Sequence, residues 1–301
     1  MGFFQRILNK NKTSTRSANY NFLEIDVSEL DQYSTGITDI KNREIDGFLI
    51  RNVLSQEESD LLINKLKTIP KEKKAIVNEG LTIYPGSFAQ VDQSSENSRD
   101  LLKAHYNEAE IFWNEFQTHF EIDFVARVKS ILGKISDGRA IEVPLGVDSE
   151  GNYNPATFKE IFPGKGELKA HCGNLFHKEF PTFYSHLLET SIIKNQLSYF
   201  VMLSPSESGG ELTLYDLEWK DAEKRLSGDT VLENDKGQQY DLLDEKLVTR
   251  KKISPQVGDM IVFAGGQIWH KVEYISGNKP RYTLGGFLSR SKDDKTVYIW
   301  S

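Results

Sequence analysis

The sequence predicts an α+β protein with a mainly β core: a double-stranded β-helix, or cupin-like jelly roll, buttressed by N-terminal helices. Three observations carry this. Apolar residues at helical spacing dominate residues 50–135. From about residue 140 the chain turns to short runs rich in β-branched and aromatic residues, separated by glycine-rich turns. In those runs the apolar residues fall on both faces, as in strands packed between a second sheet and covering helices.

The elements follow in order. "MGFFQRILNKNKTSTRSANY" is mildly basic, and its apolar start is too brief for a signal segment. Gly2 stands where a myristoylation signal begins, but position 6 is Arg rather than Ser or Thr. Residues 1–19 therefore read as a flexible tail. "SQEESDLLINKLKTI" (55–69) opens with Ser55 and Glu58 in capping-box spacing, carries Leu61, Leu62, Leu66 and Ile69 on one stripe, and stops at Pro70. Residues 98–132, free of proline and glycine, predict two helices or one bent one. The strand candidates are "QLSYFVML" (196–203), "GELTLYDLEW" (210–219), "GDMIVFAGG" (258–266) and "RYTLGGFLSR" (281–290). Between them, residues 220–252 form a long charged insertion, either a lid or a solvated excursion.

Composition bounds the function. The 301 residues show no internal repeat or low-complexity linker, so residues 20–301 read as one domain. A net charge of −7 with no basic stripe argues against nucleic-acid binding. No apolar run of ~18 residues is available to span a membrane. The one cysteine, Cys172, excludes an internal disulfide and any cysteine-clustered metal site, and a reducing cytoplasm is the natural compartment. The sequence sets no oligomeric state.

Six histidines are present. His105 and His119 fall in helical sequence, and His177 and His186 lack partners at ligand spacing. His171 and His270 each lie beside a strand candidate, ninety-nine positions apart, so only the fold can join them. Arg281 and Thr283 follow on the last core strand, sharing one face by strand alternation. Two imidazoles can bind a divalent metal, and a nearby arginine can pair bidentately with a carboxylate ligand that reaches the metal by its other end. In an extended "HCGN", His171 and Gly173 face one way and Cys172 the other. The common non-haem iron triad places Asp or Glu at the position of Gly173. Here that place holds no protein anion.

Together, "HCGN", "NQLSYF", "GGELTLYDLEW", "GDMIVFAGGQIWH", "GNKPRYTLGGFLSRSK" and "YIWS" resemble the iron(II)- and 2-oxoglutarate-dependent aliphatic halogenases that chlorinate free-standing hapalindole- and welwitindolinone-type alkaloids. The likeness extends upstream to "FLEIDVSEL", "GFLIRNV" and "PATFKEIF", covering nearly all of residues 20–301. It implies iron(II) on His171 and His270, chloride beside Gly173 with bromide as an alternative halide, and 2-oxoglutarate held by Arg281 and Thr283. It also implies hydrogen abstraction by a ferryl centre formed from dioxygen, then chlorine transfer to an unactivated aliphatic carbon. The substrate would be an alkaloid-like small molecule free of any carrier protein. Ser198 is placed near the oxo position, where its hydroxyl could steer which ligand is transferred. The segment "LTIYPGSFAQ" (81–90) is a candidate substrate wall, with Tyr84 and Phe88 as its contacts. Two other readings stay open: a hydroxylase of this fold in which water, Glu211 or Asp216 completes the iron site, and a non-catalytic jelly roll that binds a metal or ligand.

Overall fold

Two β-sheets face one another across an apolar interior in the computed structural model, which describes residues 20–86, 98–219 and 250–301. The first half contains β1 (Phe22–Asp26), α1 (Gly36–Asn42), β2 (Gly47–Arg51), α2 (Gln56–Thr68), β3 (Ala75–Asn78), β4 (Leu81–Tyr84), α3 (Ser98–Phe120) and α4 (Phe124–Lys134). Then come β5 (Ala140–Glu142), β6 (Thr157–Ile161), β7 (Leu168–His171), α5 (Phe176–Glu179), α6 (Pro181–Thr190), β8 (Leu197–Ser204), β9 (Ser208–Gly209) and β10 (Leu212–Glu218). The last stretch holds β11 (Arg250–Ile253), β12 (Met260–Phe263), β13 (Ile268–Val272), β14 (Ile275–Ser276), β15 (Arg281–Arg290) and β16 (Thr296–Trp300). This is the double-stranded β-helix expected from the sequence. No helix among the described residues is long and apolar enough to cross a membrane.

The larger sheet runs β1-β2-β12-β8-β15-β6-β4-β3, and the smaller runs β11-β10-β13-β7. β15 sits at the centre of the larger sheet. One edge pairs along β8; the other pairs with β6 through Arg281–Gly285 and with β16 through Phe287–Arg290. A strand enclosed in this way is buried on both faces along nearly its whole length.

Helices cover the outer face. At the start of α2, Ser55 accepts from the Glu58 N–H at 3.1 Å and the Glu58 carboxylate accepts from the Ser55 N–H at 2.8 Å, closing the capping box. The 98–132 pattern resolves into two helices: Glu121 adopts φ 63° and Asp123 caps the next helix by accepting from the Ala126 N–H at 2.9 Å. One face of α3 lays down an aromatic layer. Phe116 stacks on Phe120 at 4.4 Å, and Phe120 stacks on Phe158 of β6 at 5.3 Å.

The first half is less helical than its sequence suggested. β1 to β4 all precede residue 140 and extend the larger sheet at both ends. Runs such as "GFLIR" are too short for periodicity to distinguish strand from helix, so their pairing partners decide. The end of the charged insertion is also strand: residues 250–253 form β11, paired with β10. Tail residues 1–19 and the rest of the insertion lie outside the described residues.

Phe158 tests the outer layer separately from the interior. It is 1% exposed and faces away from β6's cavity side. Phe158→Ala should cost about 3–5 kcal/mol of unfolding free energy in urea titration. A loss below about 1 kcal/mol would mean that the aromatic layer does not anchor the sheet.

Candidate metal centre

β7 and β13 pair antiparallel, and their register sets His171 opposite His270. The ring centroids lie 4.3 Å apart with planes at 57°. Each ring is fixed by its own strand: His171 Nδ1 sits 2.7 Å from the Lys169 carbonyl, and His270 Nδ1 sits 2.8 Å from the Ile268 carbonyl. A carbonyl only accepts, so each Nδ1 carries the proton and donates it. Each Nε2 keeps its lone pair. Burial pushes the His171 pKa down to about 4, with the Lys159 charge adding to it against the bond to Lys169. Burial, then His171 itself, hold His270 well below its ordinary range. Both imidazoles are neutral at pH 7, the form that ligates a metal.

The strand ends at His171. Cys172 stays extended (φ −142°, ψ 132°), and Gly173 opens a single 3₁₀ turn, Gly173–Leu175. Cys172 turns into the protein, where its thiol donates to the Gly266 carbonyl at 2.7 Å and burial pushes its pKa up to about 12. The Gly173 N–H donates to the Gly265 carbonyl at 2.8 Å, and the Asn174 N–H to the Gly266 carbonyl at 3.2 Å. "HCGN" and "AGGQ" are thus laced together. A Cβ on Gly173 would lie 3.1 Å from both Gln196 Nε2 and Gly266 Cα. A Cβ on Gly265 would overlap the Ser198 hydroxyl, and one on Gly266 the Gln196 carbonyl, so this approach requires glycine.

No carboxylate joins the histidines. Among the described residues no group of three or more His, Cys, Asp or Glu comes close enough to hold a metal. Glu211 lies 3.6 Å from Lys252 in an ion pair, and Asp216 is exposed, acting on buried Tyr20. Neither completes the pair.

A cavity of about 650 Å³ opens between the sheets and in front of the histidines. His171, His270, Ser198, Arg281 and Thr283 all line it, with Phe200, Phe263 and Lys159. Arg281 is 2% exposed, its guanidinium lies 5.3 Å from the Phe200 ring centroid, and its Nε has no hydrogen-bond partner among the described residues. Burial pushes its pKa down to about 10. A buried guanidinium without a carboxylate is costly, and its fork of donors matches a ligand carboxylate. Thr283 lies two residues further on the same face. Two Nε2 lone pairs and an unpartnered Arg281 in one cavity therefore suit iron(II) with a bidentate dicarboxylic acid such as 2-oxoglutarate.

One expectation changes. Tyr84 does not line the cavity. Leu81 and Ile83 do, so strand alternation sends Tyr84 the other way, edge-on to Phe112 at 5.0 Å. Phe88 lies outside the described residues. Of the other histidines, none lines the cavity: His105 is buried with Nε2 unpartnered, His119 packs edge-on to Phe120, and His186 meets the Tyr153 hydroxyl at 3.3 Å. Lys159 was missed by sequence reasoning. On β6 it alternates with Phe158 and Glu160, and "TFKEI" alone gives no sign that its lysine faces inward.

Compared with known families, residues 19–301 match the model of the carrier-protein-independent halogenase WelO5. The chain belongs to that family. It is by family an iron(II)- and 2-oxoglutarate-dependent oxidoreductase acting on a substrate free of a carrier protein. A search of curated proteins finds no match to its sequence. Its fold is similar to that of an N-substituted L-amino acid dioxygenase from Burkholderia ambifaria AMMD: TM-score 0.54, 12% identity, covering 88% of this chain and 91% of that one. The same dioxygenase in complex with alpha-KG gives TM-score 0.51 at 14% identity, covering 87% and 89%. At such identities the likeness is one of fold.

Buried neutral histidines make stability depend on pH. Burial pushes His105 down to about 4, as it does His171, and His270 is also depressed. Below pH 6.5 the unfolded chain takes up protons on these residues that the folded chain refuses, so stability falls with falling pH. The metal-free protein should lose about 1 kcal/mol per histidine per pH unit between pH 6 and pH 5. Urea midpoints across pH 8 to 5 check this. A flat profile would mean that the histidines are already solvated.

Proposed function

We propose that this protein is an aliphatic halogenase: it replaces hydrogen with chlorine on an unactivated carbon of a free small molecule, using iron(II), 2-oxoglutarate, chloride and dioxygen. The observation that carries the reading is a pair of facing, neutral imidazoles with glycine, not a carboxylate, two residues after the first. The WelO5 family match supports the halogenase over the hydroxylase reading. The oxidising power for breaking the C–H bond comes from the bound iron, 2-oxoglutarate and dioxygen together.

The chain's own residues have separate tasks. His171 and His270 present their Nε2 lone pairs to the metal, each ring oriented by its Nδ1 bond to a backbone carbonyl. Gly173 leaves the protein-anion position to chloride. Arg281, with Thr283 beside it, grips the far carboxylate of 2-oxoglutarate in a fork that a lysine cannot reproduce. Ser198 presents a hydroxyl from the facing sheet and steers which ligand reaches the substrate carbon. Leu81, Ile83, Phe176, Phe180 and Phe287 hold the apolar substrate body and exclude water.

Two variants test this. Arg281→Lys should raise the 2-oxoglutarate concentration for half-saturation by roughly tenfold or more, while iron binding measured without 2-oxoglutarate stays near normal. An unchanged 2-oxoglutarate requirement would remove Arg281 from the clamp.

The second variant is Gly173→Asp. The wild-type protein, anaerobic with iron(II) and 2-oxoglutarate, should show a visible charge-transfer band that responds to chloride. Gly173→Asp should abolish that response and chlorination, because a carboxylate excludes halide by charge and volume. Gly173→Ala controls for the crowding at Gln196 and should retain a weakened response. A Gly173→Asp protein that bound chloride and chlorinated like the wild type would overturn the reading. A wild-type band indifferent to chloride would favour the hydroxylase, and no band at all a binding protein.

A further inference from the structure

We propose that Lys159 anchors a carboxylate on the substrate, so that the molecule modified in this cavity is an organic acid with an apolar or aromatic body. The proposal rests on the halogenase reading and adds a substrate class to it. Lys159 lies on β6 between Ile83 of β4 and Thr283 of β15, in register with both. Alternation directs Phe158 into the outer aromatic layer, and Glu160 to Lys74 and the Tyr282 hydroxyl. Lys159 alone of the three lines the cavity.

Among the described residues its ammonium has no hydrogen-bond or ion-pair partner. No carboxylate among the described residues lies within ion-pair distance of Nζ. Arg281 and Lys159 also lean toward different rings. The guanidinium lies over Phe200 of β8, whereas Lys159 Nζ stands 5.9 Å from the ring centroid of Phe287, four residues beyond Thr283 on β15. One carboxylate gripped by Arg281 therefore leaves Lys159 free for another. The charge it carries is unfavourable there: burial, then Arg281, push its pKa down to about 8. An anion beside it would relieve both effects.

The surroundings suit an organic acid with an apolar body. Phe176 packs edge-on to Phe287 at 5.4 Å, making an aromatic wall beside the ammonium. An acid docked on Lys159 would lay its apolar body along that wall, with both histidines in the same cavity.

The test uses the full chain loaded anaerobically with iron(II), 2-oxoglutarate and chloride. Phenylacetate and indole-3-acetate are titrated against phenylacetamide and indole-3-acetamide, read by calorimetry and by change in the visible band. At least one acid should bind about tenfold or more tightly than its amide in the wild type. Lys159→Met should erase that preference without changing the 2-oxoglutarate requirement. Lys159→Gln serves where the methionine variant does not fold, and the wild-type comparison needs no variant. No acid preference in the wild type would overturn the proposal. So would a Lys159→Met protein that keeps the preference, or one whose change is confined to the 2-oxoglutarate requirement. A wild-type acid preference with a chloride-indifferent band would leave Lys159 in place and overturn the halogenase reading instead.

Discussion

The register of β13 against β7 is the constraint on which the site depends. Strand side chains alternate, so slipping either strand by one residue would turn a histidine away from the cavity. The pairing runs His270↔His171 and then Val272↔Leu168, so β7 carries one more residue than β13 between the two points. Such a bulge re-aims side chains next to a site. On its other edge β13 pairs with β10, where His270 meets Leu214. His270 is thus held between two strands, and the Phe263 ring stands edge-on to it at 4.9 Å from the facing sheet. Both rings are orientated by local bonds, and only their separation depends on the long-range pairing.

Glycine at 173 answers two demands at once. The turn after β7 is pressed against Gly265 and Gly266 by backbone hydrogen bonds, and the Gln196 amide closes the remaining side. A side chain could enter only if Gln196 and the backbone of Gly265 and Gly266 gave way by a few tenths of an ångström. Glycine there also leaves the histidines without a protein carboxylate at the position two residues after His171. Cys172, next to it, is directed to the Gly266 carbonyl, with its thiol held protonated by burial. Geometry and protonation together leave it a poor rival for a metal.

The parts of this arrangement legible in the sequence are those with a period or a spacing. β15 covers residues 281–290, the limits read from its sequence, because Tyr282, Thr283, Leu284, Phe287 and Leu288 favour a strand and Pro280 sets its start. The α2 capping box was legible for the same reason: its chemistry is local. His171, His270, Ser198, Arg281 and Thr283 were picked out together and line one cavity, although their roles there stand as proposed. What escaped needed tertiary information. The short strands β1 to β4 are defined by their partners, and Tyr84 and Lys159 show the limit most clearly. Ile83 and Lys159 pair on one face of β4 and β6, and Tyr84 and Phe158 pair on the other. Which face looks inward is decided by the α3 aromatics, which cover the Tyr84 side.

The cavity's electrostatics follow from this division of faces. Aromatic and aliphatic walls exclude water, and that lowers the histidines' affinity for protons. The same exclusion makes the unpartnered charges on Arg281 and Lys159 costly to hold. Arg281, Lys159 and the neutral imidazoles are poorly satisfied alone and would be well satisfied by a metal with several anions. Ligands that enter gain what the folded chain forgoes, because each anion meets a cation already oriented and already stripped of water. Folding stability is thereby exchanged for binding, and the exchange is confined to one face of β6 and β15. The opposite face of β6 carries Phe158 and the aromatic stack that supports the sheet. A strand with two such different faces lets the site stay electrostatically strained while the fold around it is held by ordinary apolar packing.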